Sequence, residues 1–236
     1  ASRPRPLRSA ARMLALALAA LALIAGQSAA HNVSEGDAGC IQEIWGVHLI
    51  PFAYLGAKHM VTGFDHVLFL LGVVFFLYRM KDVALYVSLF AVGHSVTMLI
   101  GVYYGIKINA FVIDAIIGFS VVYKALDNLG AYRVWFGVQP DTRAATLIFG
   151  LLHGLGLATK ILDYRMSKEG LLPNLLAFDV GVEIGQLLAL AAILIVICWW
   201  RRSRSFDRHA YTANVVMMSL GFMLMGFQIT GFFIAA

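Results

Sequence analysis

Long apolar segments, separated by short polar connections, occupy most of this chain. Six of them lie at about residues 63–79, 83–104, 110–132, 143–162, 172–200 and 211–235. An α-helix needs roughly 20 mainly apolar residues to cross a hydrocarbon core of about 30 Å, and each segment is close to or above that length. The pattern therefore predicts an all-α fold, a polytopic transmembrane helical bundle with six spans.

A leader-like segment precedes the six spans. Residues 1–30 have an arginine-rich start, the apolar core "MLALALAALALIAG" and the small residues "SAA" before His31, which is the pattern of a signal peptide. We expect either cleavage after Ala30 or retention of the leader as an N-terminal anchor helix and seventh span. In the cleaved form, the free amine and the imidazole of His31 are able to chelate a metal ion together.

Residues 31–62 are predicted to be a periplasmic segment that ends in an interfacial or re-entrant helix. The stretch 44–60 is apolar, but Pro51 and His59 make it a poor membrane span. The six-helix transmembrane domain then comprises residues 63–236.

Composition and charge agree with a membrane location. The chain is 61% hydrophobic and 13% charged, whereas soluble domains are about half apolar and about a quarter charged. Its net charge of +5 comes largely from four arginines of the leader, and the rest of the chain has 14 basic and 13 acidic residues, so a nucleic-acid partner is not indicated. Basic residues concentrate in alternate connections, which predicts a bacterial inner-membrane protein with both mature termini on the periplasmic side.

Polar and charged side chains occur inside five of the six predicted spans. A charged side chain at mid-bilayer costs roughly 2.5–3.5 kcal/mol on insertion scales, so such residues usually face the bundle interior. Asp179, Glu183 and Gln186 are spaced i, i+4 and i+7 and are expected to share one inward face. The candidate metal ligands are His31, His59, Asp65, His66, His94, Asp114, His153, Asp179, Glu183 and Gln186.

The residue types and their depths indicate a cation site. Histidine with carboxylate is a ligand set that suits first-row divalent metals. Asp65, His66, Asp114 and Asp179 begin their spans on the outer side, while His94 and His153 lie near the centres of theirs. We therefore expect a path for a metal ion or for protons from the outer face towards the middle of the membrane.

The same residues carry a family resemblance. The segments "HMVTGFDHVLFLLG", "GHSVTMLIG", "AFVIDAIIGFSVVYKALDN", "FGLLHGLGLA" and "AFDVGVEIGQL" resemble, in order, the motifs of the HupE/UreJ family over about residues 50–190. The resemblance implies a nickel permease or an accessory protein for hydrogenase or urease maturation, with copper, cobalt or zinc as other cargoes. Asp114 stands where the family more often has Glu, and Asp179 stands where Asn is usual.

Three functions follow as hypotheses. The first is a transition-metal permease or metal-supply protein for metalloenzyme maturation. The second is a metal-binding accessory subunit that docks on membrane metalloenzyme subunits or on a second copy of itself, using the paired glycines at 101/105, 150/154 and 181/185. The third is an intramembrane zinc hydrolase with Asp65 and Ser95, but the chain has neither an HExxH nor a GxSxG motif, which favours a non-enzymatic function.

Overall fold

The computed structural model describes residues 46–163 and 169–235, and every regular element among them is helical. The leader, His31 and the first part of the predicted periplasmic segment lie outside these residues. The prediction of an all-α fold is confirmed. The helices are α1 (Leu49–Thr62), α2 (Phe64–Val74), α3 (Met80–Tyr104), α4 (Ala110–Asn128), α5 (Ala131–Phe136), α6 (Thr142–Asp163), α7 (Leu171–Arg201) and α8 (Arg204–Ala235).

Four of these helices, α3, α6, α7 and α8, are long and apolar enough to cross a membrane. Helices α1 and α2 pass the same test only as a pair, and the pair bends by 64° at Gly63. The described part of the chain thus has four candidate spans, or five when the bent pair counts as one. The predicted first span at 63–79 is wrong in its bounds, because helix α2 ends at Val74 and a turn follows.

The bent pair α1–α2 extends along the whole of α7. At one end, the side-chain Oδ1 of Asn174 accepts from the amide of His48 at 2.7 Å. At the other end, the guanidinium of Arg201 donates to the carbonyls of Val74 and Phe75, at 2.6 Å each. Twenty-seven residues of helix separate Asn174 from Arg201, which is about 40 Å at 1.5 Å per residue. The stretch expected to form an interfacial or re-entrant helix therefore packs along α7, as the first half of the bent pair.

Small residues let α1 approach α7 closely. A Cβ at Gly56 would collide with the carbonyl of Phe178, and a Cβ at Gly181 would collide with the carbonyl of Ala53. The contacting residue numbers rise together on the two helices, so α1 and α7 run parallel. This is the backbone-to-backbone packing that small residues permit in membrane helices.

A second parallel pair, α3 and α6, has the same character. A Cβ at Gly150 would lie 3.0 Å from the Cα of Phe90, and a Cβ at Gly154 would collide with the carbonyl of His94. Thr97 of α3 also donates to the carbonyl of Leu151 of α6 at 2.6 Å. The glycine pairs at 150/154 and 181/185 are thus used within the chain, which removes them as contact surfaces for another subunit.

Helix α4 packs against α8 in the opposite direction. A Cβ at Gly118 would lie 2.7 Å from the amide nitrogen of Met225, and one at Gly221 would lie 2.9 Å from Val122. Helix α4 ends at Asn128, so the third predicted span, 110–132, is too long at its C-terminal end; Gly130 turns the chain with φ 71° and α5 follows.

Charged side chains on α4 are paired, which explains how a helix with three charges sits inside the bundle. Lys124 bonds Asp127 at 2.5 Å, and both are buried. Asp127 also accepts from Gln139 and from Thr142, whose hydroxyl lies 3.1 Å away. Asp114 pairs with Lys160 of α6 at 2.9 Å. Pairing offsets part of the cost of placing these charges in an apolar environment.

Candidate metal-binding site

Four histidines from four helices meet in the middle of the bundle. His66 of α2 is the hub: its ring centroid lies 5.2 Å from that of His59, 6.0 Å from that of His94 and 4.8 Å from that of His153. His66, His94 and His153 are 4%, 1% and 1% exposed. The structure therefore brings together five of the ten predicted ligands, because Asp65 bonds His66. We call the four histidines the histidine cluster.

The break between α1 and α2 places His59 against His66. These residues are seven apart, and the extended backbone at Gly63 turns the chain between them. A Cβ at position 63 would lie 2.8 Å from Nδ1 of His66 and 3.1 Å from Oδ1 of Asp65. Glycine at the bend thus leaves room for the side chains of Asp65 and His66, which a Cβ at this position would crowd.

The close approach of α3 and α6 positions the other two histidines. Gly154 follows His153 directly and lies against the backbone of His94, so the close contact of α3 and α6 brings both imidazoles next to His66. Sequence-distant residues meet here because glycine removes the side chains that would keep the helix backbones apart.

Two hydrogen bonds fix which ring nitrogens of His66 and His153 carry protons. Nδ1 of His66 lies 2.9 Å from Oδ1 of Asp65, so it donates to this carboxylate. The hydroxyl of Ser120 donates to the carbonyl of Ile117 at 2.6 Å, and it can therefore only accept from Nε2 of His153, 3.2 Å away. Nε2 of His66 and Nδ1 of His153 are left with lone pairs, as a metal ligand requires.

Five buried ring nitrogens of the cluster have no hydrogen-bond partner among the described residues. They are Nε2 of His59, Nε2 of His66, both ring nitrogens of His94 and Nδ1 of His153. Each buried unsatisfied polar group costs about 1–3 kcal/mol, or about 5–15 kcal/mol for five. A whole domain is stable by a similar amount. Water or a bound cation would satisfy these nitrogens.

The cluster is a row of imidazoles rather than a finished coordination shell. In the part of the chain that the structure describes, no three His, Cys, Asp or Glu side chains are arranged so that they could hold one metal ion. His66 touches each of the other three, so the arrangement suits transfer of a cation between neighbouring imidazoles. The assignment of these residues as metal ligands stays a prediction.

An aromatic layer closes the cluster on the side of Arg201. The ring of Phe90 lies 5.0 Å from that of His153, and the ring of Phe69 lies 5.5 Å from it. Phe149 completes the layer at 5.7 Å from Phe69. Each phenylalanine is three or four residues from a cluster histidine on the same helix, a spacing in the sequence that indicates a shared face.

A small pocket adjoins the cluster on the opposite side from the aromatic layer. It lies between α2, α4 and α8 and is lined by Asp65, Asp114, Gly118, Leu224 and Gln228. Because Asp65 holds His66, the pocket is in contact with the cluster through one side chain. Asp114 lines this pocket and is not in the histidine cluster itself.

The three predicted ligands of α7 do not share one inward face. Gln186 is buried and donates to the carbonyl of Val87 at 3.1 Å. Asp179 is half-buried beside Ser95 of α3. Glu183 is exposed, so the prediction that it faces the bundle interior is wrong. The helix buries the side that carries Gly181, Val182 and Gly185 against α1, and Glu183 lies beyond its edge.

The comparison with known families decides the relationship of the chain. A model described as HupE / UreJ protein matches residues 35–236. The chain belongs to the HupE/UreJ family. The match includes all four histidines of the cluster and all the residues that line the adjoining pocket. HupE/UreJ proteins are associated with the supply of nickel or other metals to hydrogenase and urease. None of the curated proteins and none of the solved structures matches the chain.

Proposed function

We propose that this HupE/UreJ protein is an integral membrane carrier that supplies a divalent transition-metal ion for metalloenzyme maturation. Its cargo is nickel, with copper, cobalt and zinc as alternatives. The observation that carries the proposal is the set of buried ring nitrogens without hydrogen-bond partners on four neighbouring imidazoles. Nitrogen ligands of this kind suit first-row divalent ions.

The proposed path begins at the pocket beside Asp65 and Asp114 and continues through His66 to His94 and His153. Two carboxylates at the pocket attract a cation, and neutral imidazoles then receive it in a drier environment. The layer of Phe69, Phe90 and Phe149 blocks the far side in this conformation. A carrier needs one closed side at any time, and the aromatic layer supplies it.

We further propose six crossings of the inner membrane, with the bent pair α1–α2 as the first and α4 as the third. The three closest helix pairs then join the first crossing to the fifth, the second to the fourth and the third to the sixth. If crossings one, two and three are exchanged with crossings four, five and six, the pair 1–5 becomes the pair 4–2. The pair 2–4 likewise becomes 5–1, and the pair 3–6 maps onto itself. An inverted repeat produces this pattern, and many secondary carriers place their substrate site where two such repeats meet.

The membrane orientation proposed from charge follows the same path. Basic residues at Arg79, Arg143 and Arg201 lie at the end closed by the aromatic layer, which the positive-inside rule assigns to the cytoplasm. The open pocket is then periplasmic, as are both mature termini.

The test is uptake of Ni²⁺ into liposomes that contain the purified protein. His94→Ala and His153→Ala are expected to reduce the uptake rate at least about tenfold, because each removes a ligand of the row. His209→Ala is the matched control, since this imidazole bonds Ser205 at the start of α8 and lies outside the cluster. Uptake by the two cluster variants at the rate of the control would refute the proposal.

The accessory-subunit hypothesis predicts a stoichiometric metalloenzyme partner that purifies with the protein and no uptake by the protein alone. The zinc hydrolase hypothesis requires three ligands around one open position, and the described residues offer no such set.

A further inference from the structure

The pocket beside the histidine cluster contains two carboxylates and a nearby ammonium group. Asp65 and Asp114 line it together with Gln228. Nζ of Lys160 lies 2.9 Å from Oδ1 of Asp114, and the two side chains are only 15% and 11% exposed. Lys160 is seven residues after His153 on α6, so it projects from the same face of that helix.

We propose that Lys160 is a tethered cation that occupies Asp114 in the absence of cargo and that an entering divalent ion displaces. The inference rests on the proposed function and adds to it a residue that sets the affinity of the pocket. With cluster histidines neutral, Asp65, Asp114 and Lys160 together carry a charge of −1. A divalent ion that reaches Asp114 must replace the ammonium group or approach it closely.

The physical consequence is a competition between two cations for one carboxylate. Interactions between charges a few ångström apart are strong where the surroundings are largely shielded from water, as at these side chains. The ammonium group weakens binding of the cargo at the pocket. It also returns to Asp114 once the cargo has moved on to His66, which favours transfer inward over return to the periplasm.

A structural ion pair would behave differently from a competing cation. If the contact only fixed α4 to α6, loss of either partner would impair the protein in the same direction. If Lys160 competes with the cargo, its loss must tighten binding, whereas loss of Asp114 must weaken it. The sign of the change therefore separates the two roles.

The experiment compares Lys160→Gln, Asp114→Asn and the double variant, whose local charges are −2, 0 and −1. For Ni²⁺ uptake into liposomes, we expect the half-saturating concentration to fall about tenfold or more in Lys160→Gln and to rise about tenfold or more in Asp114→Asn. The double variant is expected within about threefold of the wild type, because its charge is restored. The maximal rate should fall in Lys160→Gln, since the cargo leaves the pocket slowly.

Two controls make these changes specific. Lys160→Arg keeps the charge and is expected to retain the wild-type half-saturating concentration. Lys81→Gln removes an exposed lysine at the start of α3, far along the chain from the pocket residues, and it should leave the half-saturating concentration nearly unchanged. All variants should elute from size-exclusion chromatography as the wild type does.

Equilibrium binding of Ni²⁺ to the detergent-solubilised protein, measured by calorimetry, separates this inference from the proposed function. The predicted order of affinities without any uptake would refute carrier activity and keep the competing role of Lys160. Uptake by the wild type together with weakened binding in both single variants would overturn the role of Lys160 alone. Equal binding by all variants would overturn it as well.

Discussion

Gly154→Ala tests whether the close packing of α3 and α6 builds the histidine cluster. The new Cβ would overlap the carbonyl oxygen of His94 and lie 2.7 Å from the carbonyl carbon of that residue, where ordinary contacts begin near 3.4 Å. A helix backbone cannot rotate away as a side chain can. The two helices must therefore separate by about 1 Å or distort locally, at a packing cost of about 1–3 kcal/mol.

The same movement affects a hydrogen bond between the helices. Thr97 donates to the carbonyl of Leu151 at 2.6 Å, and a separation of about 1 Å would lengthen this bond beyond a useful distance. Its loss adds about 0.5–1.5 kcal/mol. We therefore expect Gly154→Ala to destabilise the protein by about 1.5–4.5 kcal/mol from these two effects together.

Gly226→Ala is the matched control. Gly226 is also helical, and a Cβ there meets nothing within 4 Å. Both substitutions gain the same intrinsic helix propensity of about 1 kcal/mol, so the difference between them isolates the packing. The assay is the temperature at which half of the detergent-solubilised protein loses its monodisperse elution. Gly154→Ala is expected to lose it at least about 3 °C below Gly226→Ala, given about 2–4 °C per kcal/mol for a chain of this size. Equal temperatures for the two variants would refute the packing argument.

Three other substitutions test separate parts of the structure. Ser120→Ala removes the acceptor for Nε2 of His153. It is expected to reduce Ni²⁺ affinity about 10–100-fold without lowering thermal stability by more than a few degrees. Unchanged affinity in calorimetry would contradict the role of Ser120. Arg201→Gln loses most of the bonds to the carbonyls that end α2 and should lower stability by about 2–5 kcal/mol, whereas the exposed Arg202→Gln should have little effect in the same melting assay. Asn214→Ala deprives Asn128 of one buried acceptor and should cost about 1–3 kcal/mol, and wild-type melting of this variant would show that the contact contributes nothing.

The sequence predicted the presence and type of the helices better than it predicted their ends. Helix α1 was expected to be interfacial or re-entrant because Pro51 and His59 interrupt an apolar stretch. In the structure His59 faces His66, and the small residues beside it pack on α7. A hydropathy pattern records that a residue is polar but does not record whether its partner is water or another buried side chain.

The candidate site shows the same limit. The histidines were found because a polar group in a membrane is costly, and that argument does not depend on tertiary detail. Glu183 was misplaced because residues at i, i+4 and i+7 spread over about 60° of a helix, and it lies at the edge of that arc away from Val182. Ser120 and Lys160 were not among the predicted ligands, because only the packing of α4 against α6 gives each its partner.

X-ray absorption at the nickel edge tests the account most directly. Purified wild-type protein loaded with one equivalent of Ni²⁺ is expected to show scattering from two or more imidazole rings, since His66 contacts the other three histidines of the cluster. His66→Ala should lose most of this scattering, while His209→Ala should retain it. A spectrum with only oxygen ligands, or one that His66→Ala leaves unchanged, would contradict a cation site at the histidine cluster.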